Sequence, residues 1–101
     1  MNPGRDFVVM GTDGLFDNLF DEDIETCLKP SIEPVKGTSD KFKLLEPEAT
    51  AKCIGNKAYK LSKDRRYNSP FAVGALKSGK RYIGGKEDDI TVIVAQIVNE
   101  Q

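Results

Sequence analysis

Two short acidic stretches hold the side chains best suited to chemistry in this chain. Asp13 follows an unbroken apolar run, Phe7-Val8-Val9-Met10, and sits in Gly11-Thr12-Asp13-Gly14. Asp88 and Asp89 come directly before Ile90-Thr91-Val92-Ile93-Val94-Ala95-Gln96-Ile97-Val98, the strongest β signal in the sequence. If these two runs pair antiparallel, the end of the first lies beside the start of the second, and Asp13 and Asp88 approach each other at one rim of the sheet. Two carboxylates brought close repel unless a proton or a cation lies between them. The chain has no histidine, so the donor set is all oxygen, which suits Mg²⁺ or Mn²⁺ and rules out His-ligated zinc. Spacing alone leaves a plainer reading open, because Asp-Gly after a strand is a common turn and an acidic pair at a strand start is ordinary surface.

Several elements must position these residues. The length and β-branching of the first apolar run favour a buried strand that ends in a turn. Asp21 is placed to cap a helix over roughly residues 22–28, with Glu22 and Asp23 in its first turn, where the helix dipole favours anions. Ile24, Cys27 and Leu28 follow the spacing of one helical face. Residues 29–45 contain Pro30, Pro34, Gly37 and Ser39 among charges and read as a long, exposed loop. Pro47 suits the first position of a helix, and Ala51, Ile54, Ala58 and Leu61 recur at helical spacing up to about Ser62. Asn68-Ser69-Pro70 is a breaker before one or two further helical turns over residues 71–76. Apolar residues on both faces of the last run predict a central strand rather than an edge. The order strand, helix, helix, strand gives an α+β fold, and two strands buried on both faces call for more sheet than this chain supplies.

Composition sets the limits. At 101 residues the chain is one small domain or a piece of a larger one, burying roughly 60–65% of its unfolded surface. Fifteen basic residues nearly balance sixteen acidic ones, so the cationic surplus that drives nucleic-acid binding is lacking. The cations of residues 60–66 read as a solvated helix end. No apolar run reaches the ~20 residues of a membrane span, and the N-terminal residues 1–6 show no targeting pattern. Cys27 and Cys53 read as buried free thiols in a reducing, intracellular compartment.

The wording around the aspartates adds a family resemblance. Val9-Met10-Gly11-Thr12-Asp13-Gly14-Leu15-Phe16-Asp17 resembles the "DG(L/I)(W/F)D" motif of the type 2C, metal-dependent protein phosphatases. Gly84-Gly85-Lys86-Glu87-Asp88-Asp89-Ile90-Thr91-Val92 resembles the closing "D(N/D)(I/M)(T/S)V" motif of the same family. Asn18, Ser69-Pro70-Phe71-Ala72 and Gly84-Gly85-Lys86 are similar to the branch that includes mitochondrial and plastid members. The resemblance covers residues 7–98, nearly all of the 101-residue chain, as the C-terminal part of such a domain. It implies part of a β-sandwich flanked by helices and a binuclear Mg²⁺ or Mn²⁺ centre. The implied reaction is hydrolysis of phosphoserine or phosphothreonine by metal-activated water. It also implies phosphoprotein substrates and an organellar parent protein. By motif, Asp13 and Asp88 match metal ligands, and Asp13 also matches a further, weaker metal position. Asp89 matches a supporting position that orients Asp88 or a metal-bound water. Asp17 matches a structural residue bonding backbone near the turn, and Gly14 one that supplies a backbone conformation side chains resist.

The chain departs from the family in what it lacks. It has no "DGxGG" motif with a metal-bridging aspartate, no general-acid histidine, and no arginine in a recognisable phosphate-binding motif. Without the acid, the leaving alkoxide must find its proton elsewhere. The sequence therefore predicts a C-terminal phosphatase fragment with negligible activity alone. Two alternatives stand beside it: a short non-catalytic protein that binds metal or a partner, and a divergent hydrolase completed by another chain. Exposed sheet in an isolated piece favours self-association.

Overall fold

The computed structural model describes residues 7–37 and 42–96. Strand β1 (Phe7–Gly11) pairs antiparallel with strand β4 (Val92–Gln96), with Gly11 opposite Val92 and Phe7 opposite Gln96. Between them run α1 (Asp13–Phe16), α2 (Asp21–Leu28), a 3-10 turn (Lys29–Ser31), β2 (Ile32–Pro34), β3 (Phe42–Leu44), α3 (Pro47–Ser62) and α4 (Pro70–Lys77). The antiparallel pairing expected of the two apolar runs is the one observed. Residues 97 and 98, expected to continue the last strand, lie outside the described residues.

Residues opposite each other in an antiparallel pair share a face. Phe7, Val9, Val92 and Val94 thus share the face that meets the helices. Val94 joins Leu15, Leu19, Ile24, Cys27, Leu44, Ile54 and Ala58 in the core, with Phe7, Val9 and Val92 packed against it. The opposite face carries Val8, Met10, Ile93 and Ala95. There Met10 is 51% and Ile93 52% exposed, so this apolar face is uncovered. The expectation that both strands are buried on two faces, and that β4 is central, is corrected: among the described residues β1 and β4 form a sheet of two, with Met10 and Ile93 exposed on one face.

Helix α3 begins at Pro47, as its spacing predicts, because proline has no N–H to lose there and its φ is already helical. Its stripe of Thr50, Ile54, Ala58 and Ser62 is buried, and it packs across β4 and against α2. Helix α2 starts at Asp21, with Phe20 rather than Asp21 at the cap position. The carboxylate of Asp23 accepts the Phe20 N–H at 2.9 Å and closes the turn from inside. Helix α4 is capped by Ser69, whose hydroxyl accepts the Ala72 N–H at 3.1 Å.

Two further expectations change. The 29–45 stretch is more than a loop, since β2 and β3 pair antiparallel there, with Ile32 opposite Leu44. The side-chain amide of Gln96 holds that small sheet to β4: its Nε2 donates to the Phe42 carbonyl and its Oε1 accepts the Leu44 N–H. Cys27 and Cys53 are not free thiols. A disulfide joins them across α2 and α3, with Cα atoms 5.8 Å apart, because Cys27 on the inner face of α2 meets the adjacent side of α3. Among the described residues no helix is long and apolar enough to cross a membrane.

Candidate metal centre

Asp13 opens α1 immediately beyond β1, and Asp88 and Asp89 lie just ahead of β4. The β1–β4 register therefore brings both acidic stretches to one rim. Beyond Gly11 the ladder is extended by Thr12, whose N–H donates to the Thr91 carbonyl at 3.2 Å. The Thr12 hydroxyl donates to the Asp89 carbonyl at 2.6 Å and accepts the Thr91 N–H at 3.1 Å. One threonine thus ties three backbone groups of the closing motif to the residue before Asp13.

A second tie lies deeper. The fully buried Asn18 donates through Nδ2 to the Gly14 carbonyl at 2.7 Å and to the Lys86 carbonyl at 2.8 Å, while its Oδ1 accepts the Lys86 N–H at 2.8 Å. A buried amide that uses both donors and its acceptor is well satisfied, and it fixes the α1 turn to the segment that carries Asp88. Sequence reading noted Asn18 only as a branch letter and did not single out Thr12. The available signal was a polar Asn18 set between Leu15 and Leu19, on a turn otherwise committed to the core.

Gly14 is needed here for a different reason from the one expected. Its φ is not among the positive ones, which occur at Gly37, Gly79 and Gly84. A Cβ on Gly14 would instead lie 2.3 Å from the Asp89 carbonyl oxygen. The two motifs approach so closely that only hydrogen fits between them. Asp89 contributes through its backbone. Its N–H donates to Asp88 Oδ1 at 2.8 Å, and its carbonyl accepts from Thr12.

Asp17 also departs from expectation. Its backbone carbonyl accepts the Phe71 N–H at 3.0 Å, but its carboxylate takes no hydrogen bond from the described residues. Burial raises the Asp17 carboxyl above its ordinary value; Asp13 and Asp88 raise it further, and Lys86 opposes them. Asp17 therefore belongs to the same acidic field as Asp13 and Asp88. Lys86 itself lies 4.7 Å over the Phe71 ring. Beside this field a cleft of about 390 Å³, lined by Phe16, Asp17, Phe71, Ala75 and Lys80, opens between α1 and α4.

The donor set has the chemistry of a hard divalent cation: carboxylate oxygens on an exposed rim, with neither thiolate nor imidazole. Mg²⁺ is commonly held by one or two carboxylates together with waters and substrate phosphate oxygens. Among the described residues no group of three or more His, Cys, Asp or Glu side chains could hold an ion. Asp13 and Asp88 by themselves therefore do not make up such a group.

No family model matches the chain. It is 37% identical over 94 residues to "Probable protein phosphatase 2C 80" of Arabidopsis thaliana, a match covering 93% of this chain and 20% of that protein. It is 42% identical over 94 residues to "Protein phosphatase 2C homolog 7, mitochondrial" of Saccharomyces cerevisiae, covering 92% of this chain and 25% of that one. The X-ray structure of the photosystem II phosphatase PBCP superposes with a TM-score of 0.72 at 31% identity, covering 96% of this chain and 37% of that one. The chain belongs to the type 2C protein phosphatase family. It spans a quarter or less of the length of these two relatives, so this type 2C segment presents the family's fold only in part. The uncovered face with Met10 and Ile93 lies on that partial sheet.

Proposed function

We propose that this chain is the C-terminal portion of a metal-dependent serine/threonine protein phosphatase and supplies one side of its Mg²⁺ or Mn²⁺ centre. The observation that carries this reading is the β1–β4 pairing, which sets Asp13 and Asp88 at one rim inside a sequence 37–42% identical to type 2C phosphatases. In this role Asp13 and Asp88 supply carboxylate oxygens to the metal. Asp89 orients Asp88 through its N–H, and Gly14 permits the close approach of the two motifs. When bound, the metal supplies an activated water and neutralises phosphoryl charge. The exposed rim leaves room for a phosphoserine or phosphothreonine side chain, and the Phe16–Phe71 cleft beside it can receive flanking residues of a phosphoprotein.

The chain alone lacks a general-acid histidine and the "DGxGG" aspartate, so it does not turn over substrate by itself. The name of the yeast relative supports a mitochondrial compartment for the parent protein. A phosphate-release assay on a phosphothreonine peptide with Mn²⁺ checks the first point; the expected rate is that of the blank. Turnover that survives further purification and disappears in Asp88→Asn would show a self-sufficient site. In-frame sequence upstream of Met1 is the second check, and absence of a "DGxGG" motif there sinks the fragment reading.

The uncovered Met10 and Ile93 face favours a second reading as well, a short non-catalytic protein that binds a partner or a second copy through this surface. Light scattering coupled to size exclusion separates the possibilities. A monomer at micromolar concentration argues against self-association.

A further inference from the structure

We propose that Asn18, together with Thr12, is a positioning residue that holds the two acidic motifs at metal-binding separation by locking the α1 turn onto residues 86–91. This rests on the metal-centre reading above. Asn18 bonds the backbone of Gly14 and that of Lys86, 68 residues from itself in sequence, with three bonds of 2.7–2.8 Å and no exposed surface. Its partners bracket the site. The Gly14 carbonyl belongs to the residue after Asp13, and both backbone groups of Lys86 lie two residues before Asp88. Thr12 closes the other side through Asp89 and Thr91. Neither Asn18 nor Thr12 supplies a carboxylate. Between them they fix the backbone on both sides of Asp13 and Asp88, and outer partners of this kind commonly set metal affinity.

A merely structural staple would behave differently, and the fold contains a matched control. Ser69 is also fully buried and ties the same segment two residues upstream. Its hydroxyl donates to the Gly84 carbonyl at 2.7 Å and accepts the Ala72 N–H at 3.1 Å. It joins that segment to α4, which reaches the end of α1 only through the Phe71 N–H bond to the Asp17 carbonyl. Ser69→Ala and Asn18→Ala therefore both remove a buried side-chain tie to the same segment, but only the second removes a direct tie between the two acidic motifs.

The experiment compares Asn18→Ala, Ser69→Ala and the wild-type 101-residue chain by backbone amide exchange without metal and by Mn²⁺ titration followed by electron paramagnetic resonance. Asn18 does not bond the Thr12 or Thr91 amides, so their behaviour reports the rim rather than the lost contact. The expected result for Asn18→Ala is exchange at Thr12 and Thr91 about 10-fold faster relative to Val94, with Mn²⁺ affinity down about 10- to 100-fold. Ser69→Ala is expected to change Mn²⁺ affinity by less than about threefold. Thr12 and Thr91 amides that exchange at the wild-type rate in Asn18→Ala, or equal Mn²⁺ losses in the two variants, overturn the proposal. Should the wild-type chain leave Mn²⁺ free, as half a site can when its remaining ligands come from elsewhere, the exchange arm alone decides whether the clamp sets the rim. Should Asn18→Ala not fold, Thr12→Val, on an exposed residue, tests the other half of the clamp. Mn²⁺ affinity unchanged in a folded Thr12→Val chain would then overturn the proposal.

Discussion

Each end of the β1–β4 pair is closed by a side-chain amide, and the two closures differ in what they hold. At the acidic rim, Asn18 is fully buried and bonds the backbone of Gly14 and Lys86. At the far end, the half-buried Gln96 bonds the backbone of Phe42 and Leu44. Removing a buried partner leaves its polar mates unsatisfied at full desolvation cost, whereas water can replace a partner near the surface. The rim is thus over-determined, by Asn18, by Thr12 and by the glycine contact at Gly14. The far end is an attached hairpin whose ties can be cut singly. Rigidity is concentrated where the two acidic motifs meet.

The largest expected effect tests whether the far end depends on a covalent tie. Cys27 and Cys53 are separated by 26 residues. On the chain-entropy account, closing a loop of that size contributes roughly 3–4 kcal/mol. Denaturant unfolding with and without reductant measures this difference, with Cys27→Ser/Cys53→Ser as the genetic counterpart. Amide exchange at Thr12 and Thr91 in the reduced native state should stay near its oxidised rate. If the rim loosens as much as α2 and α3 do, the two ends are not independent and the comparison fails.

Next comes Gly14→Ala. A methyl group placed 2.3 Å from the Asp89 carbonyl oxygen forces the motifs apart, at a cost of about 1–3 kcal/mol. The shift separates Asp13 from Asp88, so Mn²⁺ binding should weaken along with stability. Gly74→Ala, with nothing within 4 Å of its added methyl, serves as the control: in the middle of α4 it should stabilise by about 0.5–1 kcal/mol and leave Mn²⁺ binding unchanged. Unfolding midpoints and Mn²⁺ titrations of the two variants decide this. A Gly14→Ala chain as stable as Gly74→Ala would mean that the close approach of the motifs is not enforced.

Gln96→Ala is smaller. Two bonds to a partly exposed hairpin are lost, for about 1 kcal/mol. The Leu44 amide should exchange faster while Thr91 is unaffected.

These contrasts also mark what was legible in the sequence. The rim could be read because Asp13 and Asp88 flank the two strongest apolar runs, and antiparallel pairing converts that order into proximity. Helix α3 could be read because Pro47 starts it and Ala51, Ile54, Ala58 and Leu61 repeat its face. The β2–β3 pair could not. Ile32-Glu33-Pro34 has no alternation, and its partner strand is propped by Gln96, 52 residues from Leu44. The disulfide depends on how α2 and α3 pack, which neither helix encodes alone. The clamp at Asn18 was hidden for the same reason, since its partner at Lys86 is a backbone group that no residue type announces. Gly14, expected to matter for its backbone angle, instead has no space for a side chain beside Asp89.

The smallest expected effect is electrostatic and is confined to the rim. The Asp17 carboxyl titrates above its ordinary value of 3.8 in the folded chain, through burial first and then through Asp13 and Asp88, against the pull of Lys86. The sign follows from proton binding. Between the unfolded and folded values the native state holds the proton more tightly, so stability falls as pH rises through that window and levels off above the folded value. Asp17→Asn removes the charge that causes this loss. The variant should gain stability over wild type at neutral pH, and the gain should vanish well below the unfolded value. Urea unfolding of both chains across that range measures it. Mn²⁺ added at neutral pH should shrink the gain, because a cation among the carboxylates relieves the same repulsion in wild type. A gain that is equal at every pH would mean that repacking around residue 17 is responsible, and the rim would then carry no electrostatic strain for a cation to relieve.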